Sequence, residues 1–503
     1  PALAGRLVNA VADRSIFTTP ELNLALYTSV LDQVTVDDCL NALREVWSVP
    51  HRYVSVIGNA RIEGVASDHI TSVFEDSFER AVDPPPAIET VAFAYTSFGP
   101  KGEVVSREWV EDLDLTLLTF ANGVRLNIKR TDFEAGRILM NVRLGGGKLT
   151  ESPEQPGIGI FASSVFTQGG LGAHSSDELR RILAGRNVGV DFSVANDAFA
   201  FSGATTPEDL LLQLQLTTAY MTDPGYRSEA ERQIRKGIDR YYASMAHRPD
   251  GPIQLEVIRM LADGDSRFGM PLQSQIDSRR LAEVEAWLAP ALSDGPLEIA
   301  LVGDLDLEAT IEAVAQTLGA LPDRAPKPDY AAERQVRFPS EPFVKSYTVP
   351  TEIPKGVVAL FWPTTDSRDV HVARRLSVLA NVLTDRLRIK IREELGGAYS
   401  PYASSRPSDT FENYGFLMSQ ITVEPNMAEE IADVATELAA SLASDGVSED
   451  ELNRAREPIL TSLRESSRTN GYWMGAVLSR AQEFPQRLDW SRSRYSDFEA
   501  IQA

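Results

Sequence analysis

Arg392 and Tyr399 are the residues of this chain whose types and spacing most clearly suggest chemistry, because they flank the glycine pair Gly396–Gly397. Apolar residues recur at helical spacing over 378–392, so this run predicts a helix ended by the glycines, and 399–404 is typical of an extended strand. A guanidinium and a phenol placed across such a turn can both donate hydrogen bonds to one peptide carbonyl. An ordinary helix end, with a solvated Arg, a left-handed glycine cap and a half-buried Tyr, fits the same pattern.

A predicted hairpin is the second local feature. Asn122-Gly123 lies between apolar runs that begin at Leu118 and Val124, and Asn-Gly in that setting predicts a two-stranded hairpin. Three glycines, Gly145, Gly146 and Gly147, follow the next apolar strand. Because glycine permits close backbone approach, they are possible contacts for an extended peptide at the edge of a sheet.

Composition limits the function classes. The chain has 503 residues, 43% hydrophobic and 24% charged, with no apolar run near the length of about 20 residues that crosses a bilayer. Its formal charge of -23 argues against a nucleic-acid partner and favours basic or neutral ligands. The single cysteine, Cys39, cannot form an internal disulfide, and its amphipathic surroundings predict a buried apolar side chain. The compartment cannot be deduced from cysteine content.

An internal repeat organises the chain. Residues 54–63 are echoed by 299–308: each is a short apolar strand that ends in Gly followed by Asn or Asp. A helix carrying a tryptophan, Trp47 or Trp287, precedes each copy. Two landmarks in the same order predict a repeat of about 245 residues.

The repeat and the Pro-rich, charged stretches define the expected domains. Residues 1–82 would be the end of a domain whose beginning is absent, and the last copy would stop before its final strand. Because the chain starts at Pro1 without a signal peptide, we expect an internal or processed piece. The predicted segments are a leading remnant at 1–82, a linker at 83–110, a central domain at 111–325, a linker at 326–345 and a trailing domain at 346–503.

Within the central domain, strands come first, helices follow and a strand returns. That order predicts a sheet with helices on one face. The predicted helices are 158–165, 175–183 and 208–221, and the predicted strands after the hairpin are 188–194, 198–202 and 299–302.

The two local features together resemble one family. Arg392, Glu394, Leu395, Gly397, Ala398 and Tyr399 look like the Arg-x-x-x-x-Gly-x-Tyr segment in the last domain of pitrilysin-like (insulinase) zinc metallopeptidases. Residues 118–133 and 142–147 are similar to the strand, turn and strand that open this family's domains. The resemblance covers most of the chain and implies an α+β fold of repeated LuxS/MPP-like α/β rolls, each with a mixed, mostly antiparallel sheet covered by helices on one face.

Zinc hydrolases of this family need a His-x-x-Glu-His motif on a helix, and this sequence contains none. His174, followed by Asp177 and Glu178, is the nearest imitation, and it is better explained as the start of a helix. The landmarks Phe166 to Gly170 and Asp177 to Leu179 place the motif at three positions that lack its side chains: Ile160, Ser163 and Ser164. The central domain therefore resembles the degenerate third domain of a four-domain enzyme.

Other chemistries find less support. The sequence contains no Gly-x-Ser-x-Gly elbow and no phosphate-binding loop. Asp304 and Asp306 follow a predicted strand, where they could ligate a cation or cap the next helix.

The resemblance implies the C-terminal half of a zinc endopeptidase that degrades peptides or small unfolded proteins in an enclosed chamber. Zinc would be bound by an N-terminal catalytic half, whether joined or separate, and Arg392 and Tyr399 would contact the substrate. The alternative is a non-catalytic peptide-binding or scaffold subunit of a processing-peptidase-like complex. The family resemblance favours a periplasmic or secreted location, with no transmembrane segment.

Overall fold

The structure is a computed structural model that divides the chain into two compact units, Pro1–Ile88 and Glu89–Ala503. No helix among the described residues combines the length and apolar character needed to cross a membrane. The described residues are 2–49, 51–58, 61–83, 91–396 and 400–503.

The first unit is helical over its described residues. Thr19 caps the second helix by accepting the Leu22 N–H at 3.2 Å, and Thr35 forms a capping box with Asp38 on the third. Residues 54–57, predicted as a strand, form no strand among the described residues. Cys39 is exposed, so its predicted burial is wrong, because α3 has no buried residue. The helices are α1 (Ala2–Ala12), α2 (Pro20–Leu31), α3 (Val36–Ser48) and α4 (Ala66–Glu79).

The second unit is built on a seven-stranded sheet with the order β1-β2-β3-β7-β4-β6-β5. Among the described strands, β3 and β7 are parallel and all other neighbouring pairs are antiparallel. The strands are β1 (Val104–Val110), β2 (Leu115–Phe120), β3 (Arg125–Arg130), β4 (Ile138–Leu144), β5 (Asp191–Val194), β6 (Phe199–Thr205) and β7 (Leu297–Gly303).

The predicted hairpin is confirmed as β2 and β3. Gly123 has a φ of 81°, which glycine adopts without strain. Asn122 is buried, and its Nδ2 donates to the carbonyls of Leu318, Gly319 and Leu321 at 2.9 to 3.3 Å. Hydrogen bonds therefore hold the turn against residues 318–321, which follow the last helix of the domain.

Helices cover one face of this sheet, as the sequence predicted. Their apolar sides and the inner residues of the strands form the largest buried cluster, which includes Phe120, Phe161 and Phe201. The mixed α+β fold class is confirmed. The helices are α5 (Ile158–Val165), α6 (Ser176–Ile182), α7 (Leu210–Thr222), α8 (Ser228–Ala246), α9 (Ile258–Met260), α10 (Gln273–Ser278), α11 (Leu281–Asp294) and α12 (Leu307–Gln316).

The opposite face of the sheet is also buried in part, which the sequence did not predict. Val477, Leu478 and Leu488, from the end of the chain, pack against β2 and β7. At the sheet edge, residues 104–110 form β1, although the sequence pattern placed them in a linker. Most β1 side chains are exposed, so the strand lacks the alternation that would have revealed it.

A three-stranded sheet with the order β8-β10-β9 lies within 346–503, the segment predicted as the trailing domain. One feature recurs in both domains: a π-helical turn follows the long helices α8 and α15, at Ile253–Val257 and Trp473–Val477. The elements are β8 (Gly356–Thr364), β9 (Tyr402–Pro407), β10 (Gly415–Val423), α13 (Val370–Leu387), α14 (Ala428–Asp445), α15 (Glu449–Ser466), α16 (Asn470–Tyr472) and α17 (Gln486–Glu499).

Candidate functional site

Arg392 lies on a π-helical segment, Arg388–Glu394, that continues α13. The residue is exposed. Gly396 has a φ of 63°, the left-handed conformation that the alternative interpretation, an ordinary helix end, expects. Tyr399 and the two residues before it lie outside the described residues.

The base of this segment is anchored in the core. Leu387 and Ile391 are fully buried against the three-stranded sheet. Arg388 forms an ion pair with Asp385 at 2.7 Å and also pairs with Glu393. Because π-helical turns are rare and often occur at functional sites, this one is a reasonable place for a substrate contact.

The strand beyond the turn is tied to the same helix. Thr384 Oγ1, on α13, accepts the Ala403 N–H of β9 at 2.8 Å. Arg386 binds both carboxylate oxygens of Glu451 on α15, at 2.7 and 3.1 Å. The hydrogen bonds from Arg386 lower the pKa of Glu451 to about 2. Sequence reasoning missed these positioning residues, since their partners lie on other elements.

The three glycines predicted as peptide contacts are buried at the end of β4, an inner strand of the sheet. A Cβ at Gly145 would lie 2.7 Å from Ala291, and one at Gly146 would lie 2.6 Å from the Tyr330 hydroxyl. A Cβ at Gly147 would lie 2.4 Å from the Ala195 carbonyl oxygen. All these close approaches are to this chain's own residues, while the two outer strands are β1 and β5. The peptide-edge role of the glycines stays a prediction.

Helix α5 carries the three positions where the sequence landmarks place the metal motif. Ser163 Oγ donates to the Gly159 carbonyl at 2.8 Å and accepts the Val194 N–H at 3.0 Å. Ser164 Oγ donates to the Ile160 carbonyl at 2.9 Å. The hydroxyl groups therefore satisfy backbone atoms of α5 and of the edge strand β5.

These positions do not fit zinc. A serine hydroxyl is a neutral oxygen that keeps its proton, whereas zinc sites use imidazole, thiolate or carboxylate ligands. Across the described ranges, no group of three or more His, Cys, Asp and Glu side chains could hold a metal ion.

His174 is structural. It is 2% exposed, and its Nε2 accepts the Ala94 N–H at 2.9 Å. Its ring packs between Phe93 and Tyr95, with centroids 5.9 Å away in each case. The next residues begin α6 with a capping box between Ser175 and Glu178, so the predicted helix start is confirmed.

The two aspartates after β7 also bind backbone groups. Asp306 caps α12 by accepting the Ala309 N–H at 2.8 Å. Asp304 accepts the Gly136 N–H at 2.8 Å. The sequence left two roles open for each aspartate, cation binding and helix capping. Capping is the role that describes Asp306.

A buried ionic cluster joins the central sheet to the end of the chain. Asp197, between β5 and β6, receives hydrogen bonds from Arg143 and Arg480, each at 2.5 Å. Lys327 lies 3.7 Å from Asp197 and pairs with Glu483 at 2.7 Å. Burial alone would raise the pKa of Asp197, but Arg143, Arg480 and Lys327 outweigh it and hold that pKa at about 2. No sequence signal connects these distant positions.

Comparison with known proteins supports the family resemblance. Residues 282–459 match the model of the peptidase M16 inactive domain. The chain is 20% identical over 427 residues to the chloroplastic stromal processing peptidase of Oryza sativa subsp. indica, covering 75% of this chain and 34% of that protein. It is 22% identical over 408 residues to the probable zinc protease PqqL of Escherichia coli (strain K12), covering 78% of this chain and 42% of that protein.

Solved structures show the same fold. The periplasmic protease PqqL from Escherichia coli superposes on 100% of this chain with a TM-score of 0.65 and 20% identity, over 55% of its own chain. A peptidase M16 inactive domain from Pseudomonas fluorescens superposes on 77% of this chain with a TM-score of 0.64 and 17% identity, over 92% of its own chain.

The chain thus spans 34% to 42% of the length of these two curated relatives. The resemblance to pitrilysin-like, or M16, peptidases predicted from the sequence is confirmed: residues 282–459 match the family's inactive domain, and the solved structures share the fold.

Proposed function

We propose that this chain is the non-catalytic C-terminal half of a zinc endopeptidase, which forms one wall of a chamber around peptides or small unfolded proteins. The observation that carries the proposal is the match of residues 282–459 to the M16 inactive domain. The motif helix α5 supports it, because Ile160, Ser163 and Ser164 cannot replace zinc ligands. The proposal assigns zinc to the catalytic half.

In the proposed mechanism, Arg392 and Tyr399 donate hydrogen bonds to the substrate carbonyl as negative charge develops on its oxygen. Donors aimed at that oxygen stabilise the transition state more than the ground state, so they raise the rate. The anchored base of the segment, at Leu387 and Ile391, supports this role by limiting how far Arg392 can move. Rigid support of such donors is what keeps the reorganisation cost low.

The test is cleavage of a quenched fluorescent peptide library by this chain alone and by this chain mixed with its catalytic half. Each reaction is run with and without a zinc chelator. We expect chelator-sensitive cleavage only in the mixture. Cleavage by this chain alone would overturn the proposal.

A second outcome separates the enzyme from the scaffold alternative. If the mixture stays inactive but binds extended peptides tightly, the chain is a peptide-binding or scaffold subunit. We also propose a periplasmic location, supported by the periplasmic relative from Escherichia coli. Cell fractionation followed by immunoblotting with the full-length protein tests it.

A further inference from the structure

A cavity of about 870 Å³ lies where the central domain meets the segment leading to the trailing domain. Three stretches of chain form its wall: the loop between β4 and α5, the turn after α9, and residues 332–337. A space of this size can hold a side chain together with neighbouring parts of a ligand. The lining residues used below are Glu151, Asp263, Asp265, Arg267, Glu333 and Arg337.

Glu151 is the distinctive group in this wall. Its side chain is 8% exposed, although the residue lines the cavity. Oε1 accepts the Gly157 N–H at 3.0 Å and so holds the start of α5. Among the described residues, Oε2 receives no hydrogen bond. Holding the Gly157 N–H needs one carboxylate oxygen, so Oε2 can accept a further hydrogen bond.

The other lining charges leave an excess of negative charge. Asp265 binds Arg267 through both oxygens, at 2.6 and 3.0 Å, so these two charges cancel. The remaining lining residues supply three carboxylates, Glu151, Asp263 and Glu333, and one guanidinium, Arg337.

The charges near Glu151 do not offset the cost of burying its carboxylate. Among the cations, Lys148 has the largest effect on Glu151, but its Nζ donates to the Arg267 carbonyl at 3.1 Å. Burial raises the pKa of Glu151 to about 6, while Lys148 and Arg267 oppose the rise and Asp265 adds to it. A further cation beside this carboxylate would therefore be stabilised.

We infer that this cavity binds a cationic group, the guanidinium or ammonium of a basic peptide side chain, with Glu151 as its counter-ion. The inference rests on the proposed function, because it assumes that peptides reach this chain, and it adds a specificity for basic residues. Charge-assisted hydrogen bonds from a guanidinium to the available oxygen of Glu151 supply the recognition.

The test uses the full chain without the catalytic half and measures binding of two probes by calorimetry. N-acetyl-arginine amide carries the cation, and N-acetyl-citrulline amide has nearly the same shape without charge. We expect the arginine probe to bind at least about ten-fold more tightly. Equal binding of the two probes, or binding of neither, would overturn the inference.

Glu151→Gln is the decisive variant, because an amide oxygen can still accept the Gly157 N–H and keep the helix cap. We expect it to abolish the preference for arginine. Glu154→Gln is the matched control: Glu154 is exposed, lies on the same loop and is not part of the cavity lining. An unchanged preference in Glu151→Gln, or an equal loss in Glu154→Gln, would contradict the role of Glu151.

The pH dependence supplies an independent readout. Since the cation binds the ionised carboxylate, affinity for the arginine probe should rise as pH increases through about 6, and Glu151→Gln should flatten that rise. A failure of these binding tests leaves cleavage by the assembled enzyme untouched, so the two proposals are judged separately.

Discussion

At the scale of single residues, the chain uses charge in two opposite ways. Arg392, the proposed substrate contact, is exposed at the end of a helix. Asp197 is 2% exposed and is surrounded by Arg143, Arg480 and Lys327, where it connects distant parts of the chain. The buried charge of Asp197 is thus satisfied by partners within the chain.

Tyr399→Phe in the assembled enzyme tests the proposed substrate contact. Removing one donor to the developing oxyanion is expected to lower kcat by about 100-fold to 1000-fold. Zinc content should stay unchanged, because the proposal assigns the metal to the other half. Tyr402→Phe is the control, since the Tyr402 hydroxyl bonds to Gln420 at 3.1 Å within the sheet. Full activity of Tyr399→Phe would remove Tyr399 from the mechanism.

Asp197→Ala should destabilise the fold by about 3–5 kcal/mol, because it leaves buried arginines without their counter-ion. Urea unfolding of the wild type and the variant measures this difference. Asp177→Ala is the control: this residue is exposed and pairs with Arg180 at 3.3 Å, so its loss should change stability by less than about 1 kcal/mol. Similar effects of the two substitutions would contradict the importance of the buried cluster.

The same cluster predicts an acid dependence. The pKa of Asp197 falls from its ordinary value of 3.8 to about 2 in the folded chain. A lowered pKa adds stability above pH 3.8, and that stability is lost as pH falls from 3.8 through about 2. We therefore expect the stability difference between the wild type and Asp197→Ala to shrink over this range in urea titrations. A constant difference would show that Asp197 does not ionise differently on folding.

At the scale of elements, the turns between strands and helices are the most constrained parts of the central domain. Gly147 has a φ of 56° and leaves no room for a Cβ beside the Ala195 carbonyl. Helix α5 begins eleven residues later, directly after Gly157, whose N–H donates to Glu151. Small substitutions in this loop therefore affect the end of β4 and the start of α5 together.

Comparing Gly147→Ala with Gly185→Ala separates two costs of adding a side chain: the backbone cost at positive φ and the cost of steric overlap. Both glycines have positive φ, 56° and 78°, but Gly185 has nothing within 4 Å of its Cβ position. The backbone cost of about 1–2 kcal/mol is shared, and overlap with Ala195 and Ala198 should add about 1–3 kcal/mol at Gly147. Thermal unfolding of both variants checks this, and equal destabilisation would show that the loop yields easily.

At the scale of the whole molecule, the second unit is held together by contacts between the end of the chain and the central sheet. The end of the chain packs on the outer face of the central sheet, where Val477 and Leu478 are fully buried. Glu298 of β7 accepts the N–H groups of Gln482 and Glu483 at 2.9 and 3.0 Å. The central sheet therefore fixes the position of the trailing domain that bears Arg392.

The formal charge of -23 predicts a strong effect of salt on peptide capture. Basic peptides should associate with the full chain faster than acidic peptides of equal length, and the advantage should fall between about 0.01 and 0.15 M salt, as the screening length drops from about 30 to about 8 Å. Stopped-flow fluorescence with a neutral peptide as control measures the rates. Rates independent of salt for all peptides would exclude electrostatic steering.

The sequence by itself determined the local structure. The hairpin at Asn122-Gly123 and helix α5 depend on residues only a few positions apart, and both are found as predicted. The family resemblance rests on the same local motifs. For the site, the sequence identified the positions that would hold a metal and the absence of suitable ligands there.

Only the tertiary structure decided which distant residues meet. The exposed edge strand β1, the Asp197 cluster, the cavity beside Glu151 and the exposure of Cys39 all depend on the path of the chain. Pairing at a sheet edge and burial of a charge are set by neighbours that lie tens to hundreds of residues away in sequence. Periodicity and capping signals extend over one or two turns, so they carry no information about those neighbours.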